Sequence, residues 1–213
     1  MSGDVWSDRA QAYRESEAHR EGRDLDLIVE WSAGASTALD VATGGGHVAR
    51  RLREAGLNVV TTDAAPGMEP DVVCRSEELP FADASFDVVA CRVAAHHFDD
   101  VAGAVREMAR ASGGLVLISD NLHGGAALEE AEKLRDPSHV RNYTVAEWTG
   151  FLESAGLRIE ASESVQHPVE IQGWLDRAGC AGDDADRVRE LVADRTRGDR
   201  VLLDRIVIKA RKA

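Results

Sequence analysis

Five short apolar runs recur along the first part of the chain, at residues 38–41, 57–61, 71–74, 86–91 and 115–119. Their hydrophobic residues are continuous rather than alternating, which suits parallel strands covered on both faces. Between them, residues 47–55 and 100–111 carry helical spacing, with Val101, Val105 and Met108 on one face. Strand, helix and strand in alternation predict an α/β fold with a doubly wound, mostly parallel sheet. Ahead of it, residues 4–31 read as helix, with Tyr13, Leu25, Ile28, Val29 and Trp31 forming a partial apolar face.

Beyond residue 121 the pattern changes. Residues 126–135 are helical. Residues 144–155 form a second helix, opened by Thr144 and Glu147 at capping-box spacing and stopped by Gly156. Residues 157–165 and 200–209 read as strands, with helices at 171–178 and 183–195 between them, an order that suits an antiparallel last strand at one sheet edge. No repeat or linker intervenes, so a single domain is expected over 1–213.

Charge narrows the function classes. Acidic residues outnumber basic ones by 38 to 25, a net charge of −13 that excludes a nucleic-acid surface. The cluster Arg50, Arg51 and Arg53 reads as a solvated helix face. Cys74, Cys91 and Cys180 are widely spaced and odd in number, which fits reduced thiols in a cytoplasm and no metal site. The charged first thirty residues hold no signal peptide, and no apolar run approaches a membrane span. A monomer or homodimer is expected.

The candidate chemistry starts at residues 39–47, Leu-Asp-Val-Ala-Thr-Gly-Gly-Gly-His. A strand that ends in a carboxylate and enters a helix through glycines makes a nucleotide-binding turn. The glycines admit close backbone approach, and the helix N-terminus offers free N–H groups. Two cofactor classes use that geometry. Gly44 to Ala49 satisfies G-x-G-x-x-A, with Asp63 nineteen residues after Gly44, as a dinucleotide fingerprint requires. Against NAD(P) stand the negative charge of Asp40 where a pyrophosphate needs neutral backbone, and the absence of a Tyr-x-x-x-Lys pair. A cationic sulfonium cofactor with an α-amino group suits the acidic residues better. Asp40 can receive the ammonium, or simply cap the following helix, and Asp63 can accept from both ribose hydroxyls.

Asp-x-Ala-Thr-Gly-x-Gly-His at 40–47 resembles motif I of class I S-adenosylmethionine-dependent methyltransferases, in the small-molecule branch similar to the ubiquinone and menaquinone enzymes. Residues 77–89, 92–98 and 106–114 continue the resemblance, as do the Tyr13-x-x-Ser16-x-x-His19 opening and residues 135–144. It covers roughly residues 9–160. It implies a Rossmann-like methyltransferase fold with a helical cap at 1–31, a cofactor-binding half at 36–120 and a substrate-side half at 121–213. The implied reaction is methyl transfer from S-adenosyl-L-methionine to a small-molecule acceptor, leaving S-adenosyl-L-homocysteine.

The resemblance also distributes roles. Ala42, Thr43, Gly44 and Gly46 would line the cofactor loop, with Asp63, Ala64, Met68, Ser76 and Glu77 around ribose and adenine and Tyr13 closing over them. His96 and His97, just after the fourth strand, are candidates for a general base. His139 and Tyr143 are expected in the acceptor pocket, and Trp148 and Trp174 in core or lid packing.

Two departures stand out. Only residues 63–70 connect strands two and three, with Pro66, Gly67 and Pro70 hostile to the usual helix. Arg75 also occupies a position where the family commonly has an acceptor for the adenine amino group, and a guanidinium cannot accept. Both motivate an alternative, a methyltransferase fold in a non-catalytic role with weak cofactor binding or none. A nucleotide-dependent oxidoreductase is the weaker alternative.

Overall fold

The computed structural model describes residues 4–15 and 20–212. Five parallel strands form in the expected order: β1 (Thr37–Val41), β2 (Asn58–Asp63), β3 (Val72–Val73), β4 (Phe86–Arg92) and β5 (Ser112–Asn121). Three more follow: β6 (Leu157–Glu170), the two-residue β7 (Thr196–Arg197) and β8 (Arg200–Lys212). Across the sheet the order is β3-β2-β1-β4-β5-β8-β6, with β7 on β8. β8 runs antiparallel to both of its long neighbours, β5 and β6. This mostly parallel, doubly wound sheet with an antiparallel last strand is the fold that the resemblance implies.

Eight α-helices accompany it among the described residues: α1 (Asp4–Glu15), α2 (Arg23–Trp31), α3 (His47–Glu54), α4 (Val101–Ala111), α5 (Ala126–Arg135), α6 (Val145–Ser154), α7 (Ile171–Asp176) and α8 (Gly182–Leu191). The described residues of 4–31 do not form the one unbroken helix expected, because the chain leaves helix before α2. Gly22, at φ 138°, sets the start of α2, and Ser16 and His19 lie outside the described residues. The capping box forms as its spacing requires, with Thr144 Oγ1 accepting from the Glu147 N–H at 3.2 Å and Glu147 accepting from the Thr144 N–H at 2.8 Å. The last strands outrun their apolar stretches, because β6 and β8 pair from Leu157–Lys212 to Glu170–Arg200, with one register shift between Ile159 and Ala161.

The central strands β1, β4 and β5 are buried on both faces. Val89, Val116 and Ile118 pack under Val105 and Met108 of α4 and Trp148 and Leu152 of α6. Val88, Ala90 and Leu117 face Leu25 and Ile28 of α2 and Val48 and Leu52 of α3. A third cluster lies toward one end of β6 and β8, where Val169, Val201 and Leu203 meet Leu128 of α5, Trp174 of α7 and Val188 of α8. Each fully buried aliphatic side chain contributes about 1.5–3 kcal/mol. The first two clusters therefore fix where the parallel strands end. The third adds a wall beside those ends. Among the described residues, no helix is long and apolar enough to cross a membrane.

Candidate functional site

One cavity of about 320 Å³ opens at the C-terminal ends of the parallel strands. This is where strand order reverses between β1 and β4, the position at which open α/β sheets bind ligands. The turn after β1 forms its first wall. Ala42, Gly44 and Gly46 all take left-handed backbone, at φ 53°, 52° and 74°. Ala42, Thr43, Gly44 and Gly45 line the cavity; Gly46 lies behind them as the residue before α3. A Cβ at Gly45 would stand 2.6 Å from the Tyr13 carbonyl oxygen, so only glycine lets α1 close onto the turn.

The two acidic residues of this wall divide their work. Asp63, at the end of β2, accepts from the Gly44 N–H at 3.0 Å and the Ala65 N–H at 2.9 Å while facing the cavity. Partial burial raises its carboxyl above the usual range. Asp40 is 1% exposed and does not line the cavity. Its Oδ2 accepts from Thr43 Oγ1 at 2.6 Å and from the Ala49 N–H at 3.1 Å. Burial pushes its pKa up to about 6. The expected ammonium receiver is thus enclosed. Its place is that of a brace between the turn and the first turn of α3.

The connection between β2 and β3 is as short as expected, a single 3-10 turn at Pro66–Met68. The missing wall comes from α1. Ala10, Ala65 and Met68 form a small buried cluster with Trp6 and Tyr13 against it. Ser7 Oγ accepts from the Gly67 N–H at 3.0 Å, and Arg14 donates to the Gly67 carbonyl at 2.7 Å. Trp6, Tyr13 and Met68 all line the cavity, beside Ala64, Ser76 and Glu77. Arg75 lines it too but is neutralised by Glu77 at 3.3 Å and Asp99 at 3.1 Å.

The middle of the cavity holds the two histidines, on a 3-10 turn at Ala95–His97. His96 Nδ1 lies 2.5 Å from Asp120 Oδ1, and the other Asp120 oxygen accepts from the His96 backbone N–H at 2.9 Å. Burial opposes charge on this ring, but Asp120 outweighs it and raises the pKa above the ordinary histidine value. His97 is the opposite case. Burial and the neighbouring His96 hold it well below that value. Its Nδ1 is 3.1 Å from the Ser138 carbonyl, while the Ser138 hydroxyl donates to Asp136 at 2.6 Å. Of the pair, His96 is the stronger base, and Asp120 fixes its tautomer so that Nε2 carries the lone pair.

The far end is lined by arginines. Arg92, at the end of β4, donates to Asp24 from Nε at 2.7 Å and Nη2 at 3.2 Å; Arg205 of β8 donates to the same carboxylate at 3.2 Å. Arg135 holds Glu132 at 3.1 Å and lies 4.6 Å from the Trp174 ring centroid. Arg177 completes the set, with His167, Val169, Trp174 and Leu203 between them.

Most of the residues singled out in the sequence therefore converge. His139 and Tyr143 do not. His139 Nε2 lies 3.4 Å from Glu129, and Tyr143 packs on Trp148 and Phe151; neither lines the cavity. Trp148 is core, whereas Trp174 serves both core and cavity. Sequence reading missed Asp24, Asp120, His167, Arg177 and Arg205. Asp120 sits one residue past the apolar run that marked β5. Arg205 could have been found, since it occupies an inward position in the alternation Val201, Leu203, Arg205, Val207, all buried. Among the described residues no cluster of three or more His, Cys, Asp or Glu could hold a metal ion.

Comparison with known proteins agrees with this geometry. A family model described as a methyltransferase domain matches residues 39–118. The chain is 30% identical over 211 residues to the uncharacterized methyltransferase YcgJ of Bacillus subtilis, covering 88% of this chain and 82% of that protein. The crystal structure of YcgJ superposes with a TM-score of 0.76 at 25% identity, over 89% of this chain and 97% of that one. BH2331 of Bacillus halodurans C-125, a protein assigned to the methyltransferases, gives a TM-score of 0.78 at 29% identity, over 90% and 99% of the two chains.

Proposed function

Because the chain belongs to the class I S-adenosylmethionine-dependent methyltransferases, we propose that it methylates a small molecule held in the same cavity as the cofactor, with His96 as general base. The observation that carries this reading is the continuity of the cavity. It runs from the glycine turn and Asp63, past His96, to a wall of Val169, Trp174 and Leu203. A concave pocket of about 320 Å³ on a chain of net charge −13 suits a small acceptor better than a nucleic acid.

The residues present fit the cofactor. Ala42 to Gly45 offer close backbone, and Asp63 presents a carboxylate to the cavity for the ribose hydroxyls. Ser76 and Glu77 lie where adenine contacts are expected, with Met68 and Tyr13 as apolar cover. When bound, S-adenosylmethionine supplies an electrophilic methyl group and departs as S-adenosylhomocysteine.

The chain's own contribution is alignment, exclusion of water and proton management. In-line displacement needs the nucleophile within near-attack distance, and pre-positioning can supply about 7–11 kcal/mol of the barrier. α1 closes one side through Trp6 and Tyr13, and the third apolar cluster closes the other. An acceptor that arrives protonated gives its proton to His96 Nε2 as its lone pair forms the new bond to carbon. Asp120 then stabilises the imidazolium.

The two grounds for a non-catalytic role weaken on inspection. α1 supplies the wall left by the missing helix, and Arg75 is paired with Glu77 and Asp99. Calorimetric titration of ligand-stripped protein with S-adenosylhomocysteine tests the reading. Micromolar binding, weakened at least tenfold in Asp63→Ala, is expected. No binding to the parent protein would sink it.

A further inference from the structure

Four arginines line the far end of the cavity, Arg92, Arg135, Arg177 and Arg205, and among the described residues Asp24 and Glu132 pair with three of them while Glu170 and Asp120 act on Arg177 and Arg205 from farther off. Arg92 and Arg205 share one carboxylate, that of Asp24. Arg135 has Glu132. Arg177 has no carboxylate within salt-bridge distance among the described residues, yet it lines the cavity. His167 stands between them with its Nε2 enclosed and without a hydrogen-bond partner. Burial, together with Arg205 and Arg92, pushes its pKa down to about 3, so the ring is neutral and has an N–H to offer.

The carboxylates that line this cavity, Asp63, Glu77 and Asp99, belong to the other end. The sheet order makes the separation concrete. β2, which ends in Asp63, is four strands from β8, which carries Arg205, a distance of roughly 19 Å at about 4.8 Å per strand. The cofactor end is therefore acidic and the acceptor end basic. A cationic pocket inside a chain of charge −13 is held there at a cost. Its remaining surface is apolar, with Trp174, Val169 and Leu203 facing the same space.

We propose that the methyl acceptor is an anion, a carboxylate or phosphate monoester on an apolar body, whose oxyanion is held by Arg177, Arg205 and His167. Guanidinium groups suit either oxyanion, because their fixed fork matches the paired oxygens. Trp174 and Leu203 then pack on the apolar body, and the reacting atom projects back toward His96. That the anion is the acceptor rests on the methyltransferase reading of the cavity; the anion site itself does not.

The test uses three probes of one shape: benzoate, phenyl phosphate and the neutral benzamide. Each is titrated calorimetrically into the full chain, with and without saturating S-adenosylhomocysteine. Benzoate or phenyl phosphate should bind at least tenfold tighter than benzamide, and whichever is tighter tells carboxylate from phosphate. Arg177→Met should lose at least tenfold of that anion binding while keeping its melting temperature and its affinity for S-adenosylhomocysteine. Arg177→Lys, which keeps the charge but loses the fork, should bind the anion more weakly than the parent and more tightly than Arg177→Met. Equal binding of benzoate and benzamide, or anion binding unchanged in Arg177→Met, overturns the proposal. Arg177-dependent anion binding in a protein that ignores S-adenosylhomocysteine would support the anion site and count against the methyltransferase reading alone.

Discussion

Asp24 and Arg205 lie 181 residues apart in sequence, and the Arg205 guanidinium donates to Asp24 Oδ2 at 3.2 Å in a fully buried contact. The same carboxylate takes two hydrogen bonds from Arg92 and one from Ser119 Oγ at 3.3 Å. One acidic residue of α2 thus ties β4, β5 and β8 together behind the cavity.

Replacing Asp24 by Asn should leave two buried guanidinium groups without their shared anion. Breaking a buried pair in this way costs about 3–5 kcal/mol. Burial opposes the charge on Asp24, but Arg92 and Arg205 outweigh it and hold the carboxyl below its usual range. Its stabilising effect is therefore present above the unfolded value of about 3.8 and disappears as pH falls below it. Urea unfolding of parent and Asp24→Asn at pH 7 and in acid should show the gap narrowing on acidification. A gap that is constant with pH would mean the carboxylate is not the source.

His167 should make stability fall in a higher window. Its folded pKa is about 3, whereas an unfolded histidine titrates near 6.5. Between those values the unfolded chain binds a proton that the folded chain refuses, so stability drops as pH falls from about 6.5 toward 3. His167→Gln should flatten this part of the curve while leaving the Asp24-dependent part intact. Identical slopes in parent and variant would rule His167 out.

Imidazole resonances offer a direct view of the His96 and Asp120 pair. His96 should titrate above the ordinary histidine value, and His97 should remain neutral well below it. Asp120→Asn removes the charge that outweighs burial, so His96 should move down past 6.5 and any base-dependent turnover should fall with it. Two-dimensional NMR across pH 5–9 measures both. A His96 titration unmoved by Asp120→Asn would contradict the assignment.

Gly67→Ala probes α1 as the replacement wall. A Cβ there would stand 2.5 Å from Ser7 Cβ and 2.6 Å from Ser7 Cα, too close for anything but displacement of the helix. S-adenosylhomocysteine affinity should drop about tenfold, with the sheet's melting temperature within a few degrees of the parent. Unchanged affinity would show that α1 is dispensable for the cofactor.

Local patterns explain why so much of the sheet was readable. Continuous apolar runs, the turn at 42–46 and the capping box at Thr144 and Glu147 are set by neighbours within a few residues, and each formed as read. The placement of Asp40 was not legible, because an acid beside a glycine turn says nothing about which way its oxygens face. Thr43 and Ala49 had already claimed one of them. His139 and Tyr143 share a segment with Asp136 and Ser138, which support the cavity through His97, while their own side chains meet Glu129 and the rings of Trp148 and Phe151. The arginine cluster was illegible for a simpler reason. Its members come from β4, α5, the segment after α7, and β8, and only the finished topology brings them together.

The position of β8 between β5 and β6 has a consequence for how the molecule is made. Residues 200–212 leave the ribosome after both strands they separate. Until then the outer edge of β5 is unpaired, and β6 has none of its ladder. Two long edges wait in the nascent chain, where free backbone groups invite pairing with other chains. Arg205 arrives with β8, so the arginine end of the cavity is completed only after the parallel strands and β6 have been made.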